Sequence, residues 1–251
     1  MNTLYDSVLA ALGLMAAFDP QLVSIALRSL AVSGLACLLA CVMGLPLGGL
    51  LAVLRFSGRG AVLACLNTLL ALPSVVVGLL VYLLLSRSGP LGFLGWLFSF
   101  QAMVLAQAVL VLPVVVALTR QTIEEADRSH GEQLASMGAG PTWRAWILLW
   151  DERRALATLV IAAFGRAISE VGAVMVVGGN IEGFTRVMTT AIALETSKGD
   201  LPLALALGLI LLLVVLILNA ALALLVRWQA GPLGSDGRVG ASASSTIWTG
   251  R

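Results

Sequence analysis

Two opposite charges, Arg166 and Glu170, stand four residues apart inside an otherwise apolar stretch. On a helix that spacing puts both on one face. Charge in an apolar phase is costly and either pairs or faces a wet cavity. The two residues therefore clamp helices together, belong to a polar pathway or gate, or sit near an interface with water. A second constellation is aromatic. Trp143, Trp146, Ile147 and Trp150 recur at i, i+3, i+4 and i+7, the stripe of a compact amphipathic helix. Such a stripe needs an apolar groove or a membrane surface, and it could serve as a docking surface for a partner. Thr189, Thr190, Gly178 and Gly179 suit either a pore mouth or close helix packing. One histidine and no Cys/His cluster argue against zinc or haem, so no metal or cofactor is expected in the chain itself. Cys37, Cys41 and Cys65 form no disulfide framework and read as small apolar fillers. No Gly-x-x-x-x-Gly-Lys-Ser/Thr loop is present to cradle a nucleotide.

The elements that position these residues are set by composition. Of 251 residues 59% are hydrophobic, only 11% are charged, and the mean hydropathy is +1.01. A soluble chain carries about 25% charged residues, so this one lacks the polar groups to cover a water-facing surface. An all-α polytopic membrane protein is expected. Five segments have the roughly 20 apolar residues that a spanning helix requires: about 21–54 with Arg28 as its one charge, 61–85, 101–119, 155–177 interrupted by Arg166 and Glu170, and 201–226. The first would reach about 50 Å at 1.5 Å per residue, so it tilts or stands above the bilayer, and Pro46 is expected to bend it. Arg28 either snorkels outward or lines the outer mouth. Residues 1–19 hold a short apolar helix, stopped by Asp19-Pro20, that is interfacial or partly inserted; a sixth crossing is the alternative. It lacks the basic leader of a secretory signal.

Inside loops carry the excess of Lys and Arg. With five crossings and the N-terminus outside, the inside segments hold ten such residues and the outside segments three, Arg87, Arg186 and Lys198. A sixth crossing moves only the N-terminus. Residues 120–154 are then an inside loop, expected as two short helices, about 123–137 and 142–150, broken at Gly138-Ala139-Gly140-Pro141. Residues 178–200 form an outside segment whose apolar 187–194 is re-entrant or surface-lying. Phe93, Trp96, Phe98 and Phe100 anchor at headgroup level or simply pack. Residues 230–251, rich in Gly and Ser, read as a disordered tail.

The loop Glu132-Gln133-Leu134-Ala135-Ser136-Met137-Gly138-Ala139, followed by Trp143 and Ile147 to Trp150, resembles the EAA loop of ABC importer permeases. Glu132, Gly138 and Ala139 match the pattern Glu-Ala-Ala, two or three residues, Gly-Ala; Gln133 and Leu134 replace its two alanines, and Trp150 stands where its proline usually falls. Asp19 to Leu30, Gly44-Leu45-Pro46-Leu47-Gly48, Leu72-Pro73-Ser74 to Leu79, and above all Phe164 to Ile181 with Thr185 to Asp200, resemble the tungstate-type permeases, relatives of the molybdate and sulfate permeases. The resemblance covers about residues 19–226.

It implies a type I ABC importer transmembrane fold with five core helices, in a bacterial or archaeal plasma membrane. The chain would be a non-catalytic translocation subunit for an oxyanion, tungstate first, molybdate or sulfate otherwise. Its partners would be a second copy, two cytoplasmic ATPase subunits that hold ATP and Mg, an extracytoplasmic binding protein and the lipid bilayer; no nucleic-acid partner is expected. Glu132, Met137, Gly138, Ala139, Trp143, Trp146 and Ile147 would couple to the ATPase, with Glu132 orienting the loop, pairing with a basic residue, or remaining a solvated charge. Arg166, Glu170, Asn180, Thr189 and Thr190 would belong to the pathway or gate. There Arg166 would lower the barrier to an anion and Glu170 would limit how tightly it sticks. Asn180, Thr189 and Thr190 are candidates for weak anion contacts, with backbone capping as the competing role. A secondary transporter acting alone, or a membrane scaffold, are the other classes; the first calls for paired inverted repeats, and no repeat stands out.

Overall fold

The computed structural model describes residues 3–17 and 19–230, and the tail expected at 230–251 lies almost wholly outside them. The chain forms helices α1 (Thr3–Ala16), α2 (Pro20–Val53), α3 (Arg59–Leu70), α4 (Ser74–Leu85), α5 (Phe100–Ser136), α6 (Pro141–Asp151), α7 (Arg153–Ile168), α8 (Gly172–Gly178), α9 (Met188–Lys198) and α10 (Leu201–Ala230), with a 3-10 turn at Gly92–Leu94. The protein is an all-α multi-pass membrane protein. Among the described residues α2, α5 and Leu201–Ala221 are each long and apolar enough to cross; α3 with α4, and α7 with α8, bring the number to five if each bent pair is one span.

Both bent pairs depart from the straight spans expected. Residues 61–85 are not one helix: α3 and α4 meet at 101°. Pro73 has no N–H to continue the ladder and biases Leu72 away from the helical region, so α3 ends at Ala71 and a new helix starts at Ser74. Residues 155–177 are likewise bent, by 57° at Ser169-Glu170-Val171. Backbone groups freed at membrane depth must find partners within the protein. They do: Gln107 of α5 donates to the Ala167 carbonyl at 3.0 Å, and the Glu170 carboxylate accepts from the Ala173 N–H at 3.3 Å.

A third departure concerns α5. The expected span 101–119 and the separate loop helix 123–137 are one helix of 37 residues. Charge marks where it leaves the apolar phase, but between Arg120 and Ser136 no proline interrupts it. Its length, about 55 Å at 1.5 Å per residue, exceeds a hydrocarbon core of about 30 Å. The charged half projects and is braced by ion pairs. Glu124 binds Arg120 at 2.7 Å and also Arg59 at the start of α3, and Asp127 meets Arg144 of α6 at 2.9 Å.

The centre of the fold is the contact of α2 with α5. A Cβ at Gly44 would stand 2.8 Å from Val115 Cγ1, and one at Gly48 2.7 Å from both Thr119 Cβ and the Val116 carbonyl. Small residues four apart let two helix backbones approach this closely in a membrane. Around the seam pack Ala40, Cys37 and Cys41 of α2 with Val111 and Val115 of α5. Cys37 and Cys41 thus fill core positions as expected, whereas Cys65 is exposed on α3. The first helix ends before Asp19 and Pro20 as expected, and the same two residues also start α2: the Asp19 carboxylate accepts from the Leu22 N–H at 3.0 Å, with Pro20 at the first helical position. The 14 residues of α1 pack on α10 and bury Ala11.

Gly48→Leu should therefore separate α2 from α5 and leave little folded protein in detergent, and Gly48→Ala should cost about 1–3 kcal/mol. Gly34→Ala, whose new methyl lies 3.9 Å from its nearest neighbour, should unfold at the native temperature. Thermal unfolding of the purified variants checks all three.

Candidate functional site

α6 starts where α5 is stopped by a left-handed residue. Gly138 has φ +85°, and around it the Gly138 N–H donates to the Ala135 carbonyl and the Ala139 N–H to the Leu134 carbonyl. That Schellman-type ending satisfies carbonyls left open at the helix end. Pro141 then occupies the first position of α6, where its missing N–H costs nothing. One face of α6, Ala145, Leu148 and Leu149, is buried in the core that α2, α5 and α7 share. Leu149 is seated against α2 so closely that a Cβ at Gly49 would lie 2.8 Å from its Cδ1.

The opposite face is the aromatic stripe. Trp143, Trp146 and Trp150 are 65%, 56% and 74% exposed, and Met137 on the adjoining end of α5 is 77% exposed. Together with His130, Gln133 and Ile147 they line an open groove of about 490 Å³. Glu132 is exposed on the same stretch of α5, and Ala139 is half-buried beside it. The residues expected to couple to a partner are therefore gathered at one end of the molecule, on a helix locked from behind and bare in front. Scattered apolar exposure is ordinary, but three exposed tryptophans along one helix form an apolar patch of the kind that a partner or a membrane surface covers.

The charged pair lies elsewhere, at the break between α7 and α8. Arg166 Nη1 is 3.0 Å from Glu170 Oε2; the arginine is half-exposed and the glutamate 5% exposed. The carboxylate also caps α8 and has the Ser74 hydroxyl, at the start of α4, as a hydrogen-bonding partner. Ser74 is there because the two breaks touch: a Cβ at Gly172 would meet Ser74 Oγ at 2.7 Å, and one at Gly78 would meet Ala173 Cα at 2.7 Å. Glu170 thus joins both bent pairs.

Of the remaining candidates Thr189 ties the 178–200 segment to this break, while Thr190 and Asn180 bond to each other within that segment. Thr189 Oγ1 donates to the Glu170 carbonyl at 2.7 Å, Thr190 Oγ1 donates to Asn180 Oδ1 at 2.9 Å, and Asn180 Nδ2 donates to the Thr190 carbonyl at 3.2 Å. Their polar atoms are occupied by the chain itself. The apolar 187–194 stretch is the greater part of α9, whose first N–H, that of Met188, donates to Ser29 Oγ of α2 at 2.6 Å. Arg28, left between two roles by the sequence, donates to the Gly183 carbonyl at 2.7 Å and the Arg186 carbonyl at 3.3 Å. Sequence reasoning missed Ser29, Ser74, Gln107 and the Gly49–Leu149 contact. Each polar one had a signal, a lone hydrogen-bonding side chain within an apolar span.

Long apolar helices, two bent helix pairs packed on each other, and an amphipathic helix with one face exposed are the architecture of a transport permease's membrane domain. The chain belongs to the family of binding-protein-dependent transport system inner membrane components, whose pattern matches residues 44–231. It is 40% identical over 223 residues to the tungstate uptake system permease protein TupB of Peptoclostridium acidaminophilum, covering 88% of this chain and 97% of that relative. It is 37% identical over 200 residues to the protein of the same name from Campylobacter jejuni, covering 80% and 84%. The molybdenum transport system permease protein ModB of Escherichia coli K12 is 33% identical over 186 residues, covering 69% and 79%. Family membership favours the partner-driven reading over the autonomous transporter and the scaffold.

Two stability measurements probe this geometry. Gly138→Ala places its methyl in open space but in left-handed backbone, so thermal unfolding should report a loss of about 1 kcal/mol. Glu170→Gln keeps an acceptor for the Ala173 N–H and loses only the charge pairing, whereas Glu170→Ala loses both. The alanine variant should unfold at a clearly lower temperature than the glutamine variant; equal midpoints would mean the cap contributes nothing.

Proposed function

We propose that this chain is the translocation subunit of an ATP-driven importer for an oxyanion, with tungstate as the cargo. Two copies form the pathway. Two cytoplasmic ATPase subunits, which hold ATP and Mg, seat on the α6 grooves, and an extracytoplasmic binding protein delivers the anion to the opposite end. The observation that carries this reading is the two-faced character of α6. Its inner face is fixed to α2 through Leu149 while its outer face leaves three tryptophans uncovered. A surface helix of no function would not need both. The EAA-like pattern around Gly138 supports the ATPase as the occupant, with Glu132 pairing to a basic group across the interface; among the described residues no ion pair reaches it.

Tungstate is favoured because the relatives named for tungstate uptake, at 40% and 37% identity, match more of this chain than the relative named for molybdenum transport, at 33%. In this reading Arg166 and Glu170 are gate elements. Opening would shift the arginine between its carboxylate and the passing anion; Thr189 holds the outer segment on that gate, and Thr190 and Asn180 brace the segment internally.

The chain reconstituted in liposomes with its ATPase and binding protein should take up tungstate in preference to molybdate and sulfate, and only with ATP. Preference for molybdate or sulfate would keep the importer and overturn the cargo; uptake without the ATPase would overturn the importer. Trp143→Ala should weaken ATPase association by about 2 kcal/mol, roughly thirtyfold, with the membrane domain still folded. Gly138→Trp should abolish uptake.

A further inference from the structure

Three grooves open around α6 and the start of α7, and they differ in charge. The groove already described carries His130 and Asp151. A second, about 610 Å³ between α5 and α7, carries Glu125 and Glu152. The third, about 350 Å³, lies between α2, α6 and α7; it is walled by Pro46, Leu156 and Val160, and Arg153 is the one charged residue among its lining. Trp146 and Trp150 line both the first groove and this one, so α6 forms a ridge between a polar-edged surface and an apolar one.

Arg153 is held at the mouth of this groove. Its guanidinium lies 5.7 Å over the Trp150 ring, and its Nη1 donates to the Trp150 carbonyl at 2.8 Å. Cation stacking and one carbonyl leave the remaining guanidinium N–H groups for an acceptor. From Pro46 an exposed apolar stripe continues along α2 through Val42, Leu39 and Leu35, at helical spacing toward the middle of the span. An apolar track within a membrane helix that ends at a single fixed cation has the chemistry of one lipid chain and its phosphate. The acidic second groove lacks that complementarity.

We propose that the groove between α2, α6 and α7 binds an anionic phospholipid, with an acyl chain along Pro46, Leu156 and Val160 and the phosphate on Arg153. The site depends only on α2 and α7 lying in the membrane, not on the importer role or its cargo. It places a lipid along the flank of α6, beside the exposed tryptophan stripe.

Native mass spectrometry of the purified full-length chain, titrated with dioleoyl phosphatidylglycerol or dioleoyl phosphatidylcholine, tests this. The tightest phosphatidylglycerol adduct should form at about fivefold lower lipid concentration than the phosphatidylcholine adduct, the effect of one basic residue on an anionic headgroup. Arg153→Gln should bring the two lipids level. Ala157→Trp, which fills the groove from an exposed position on α7, should remove the tight adduct of both; if that variant fails to fold, Arg153→Gln carries the test. Equal binding of both lipids by the native chain, or a preference that survives Arg153→Gln, overturns the proposal. So does a disulfide-linked dimer formed in membranes by Ala157→Cys in a Cys65→Ser background, which would put a second copy of the chain on the groove.

Discussion

The approach of α2 to α5 at Gly44 and Gly48 is the constraint on which the rest of the molecule rests. In a membrane the hydrophobic effect does not drive one helix onto another, so contact depends on backbone proximity and packing. Two glycines remove the side chains that would hold the helices apart. With that distance fixed, the next glycine of α2, Gly49, faces α6 and receives Leu149. The far end of the same helix carries Arg28, which holds the Gly183 and Arg186 carbonyls, and Ser29, which accepts the first N–H of α9. One helix thereby touches α6 at one end and the 178–200 segment at the other.

The second organising fact is that the irregular backbone is concentrated at one place. The breaks in α3–α4 and α7–α8 pack on each other, and the groups that the α7–α8 break releases are met by side chains from three directions: Gln107 from α5, Glu170 from the break itself, and Thr189 from α9. Non-helical chain at membrane depth survives only when such partners are supplied or water reaches it. A junction built from short helices and side-chain hydrogen bonds has fewer backbone bonds to sacrifice than a continuous helix. In the importer proposed for this chain, that makes it the place where a pathway would open and close.

Much of this was legible in the sequence, for identifiable reasons. Hydropathy located all five apolar segments because lipid exposure excludes charge from long stretches. Gly138 and Pro141 bracketed the start of α6 because a left-handed cap and a first-turn proline are local requirements, independent of tertiary context. What hydropathy cannot register is direction. Residues 61–85 are uncharged whether straight or bent by 101°, and the local signal of the break is Pro73. The split of α5 at residue 119 was the same error reversed, since a change from apolar to charged marks the membrane boundary and not the end of a helix. For the site, the spacing of Arg166 and Glu170 gave their pairing. The partners Ser74, Ser29 and Thr189 lie 96, 159 and 19 residues from the groups they bind, and spacing along the chain carries no information about contacts at such range.

In the proposed importer, Leu149 in the Gly49 socket joins α6 to the membrane core and so would transmit the ATPase's motion. A size exchange at that contact tests it directly, with ATP-driven uptake per folded transporter as the readout in proteoliposomes. Gly49→Val alone should abolish uptake by unseating Leu149, and Leu149→Ala alone should reduce it by loosening the socket. The double variant Gly49→Val with Leu149→Ala should recover a substantial part of the native rate, because the bulk is restored on the other side of the same contact. If the double variant shows only the product of the two losses, with no recovery, the contact is mere packing and the coupling runs elsewhere.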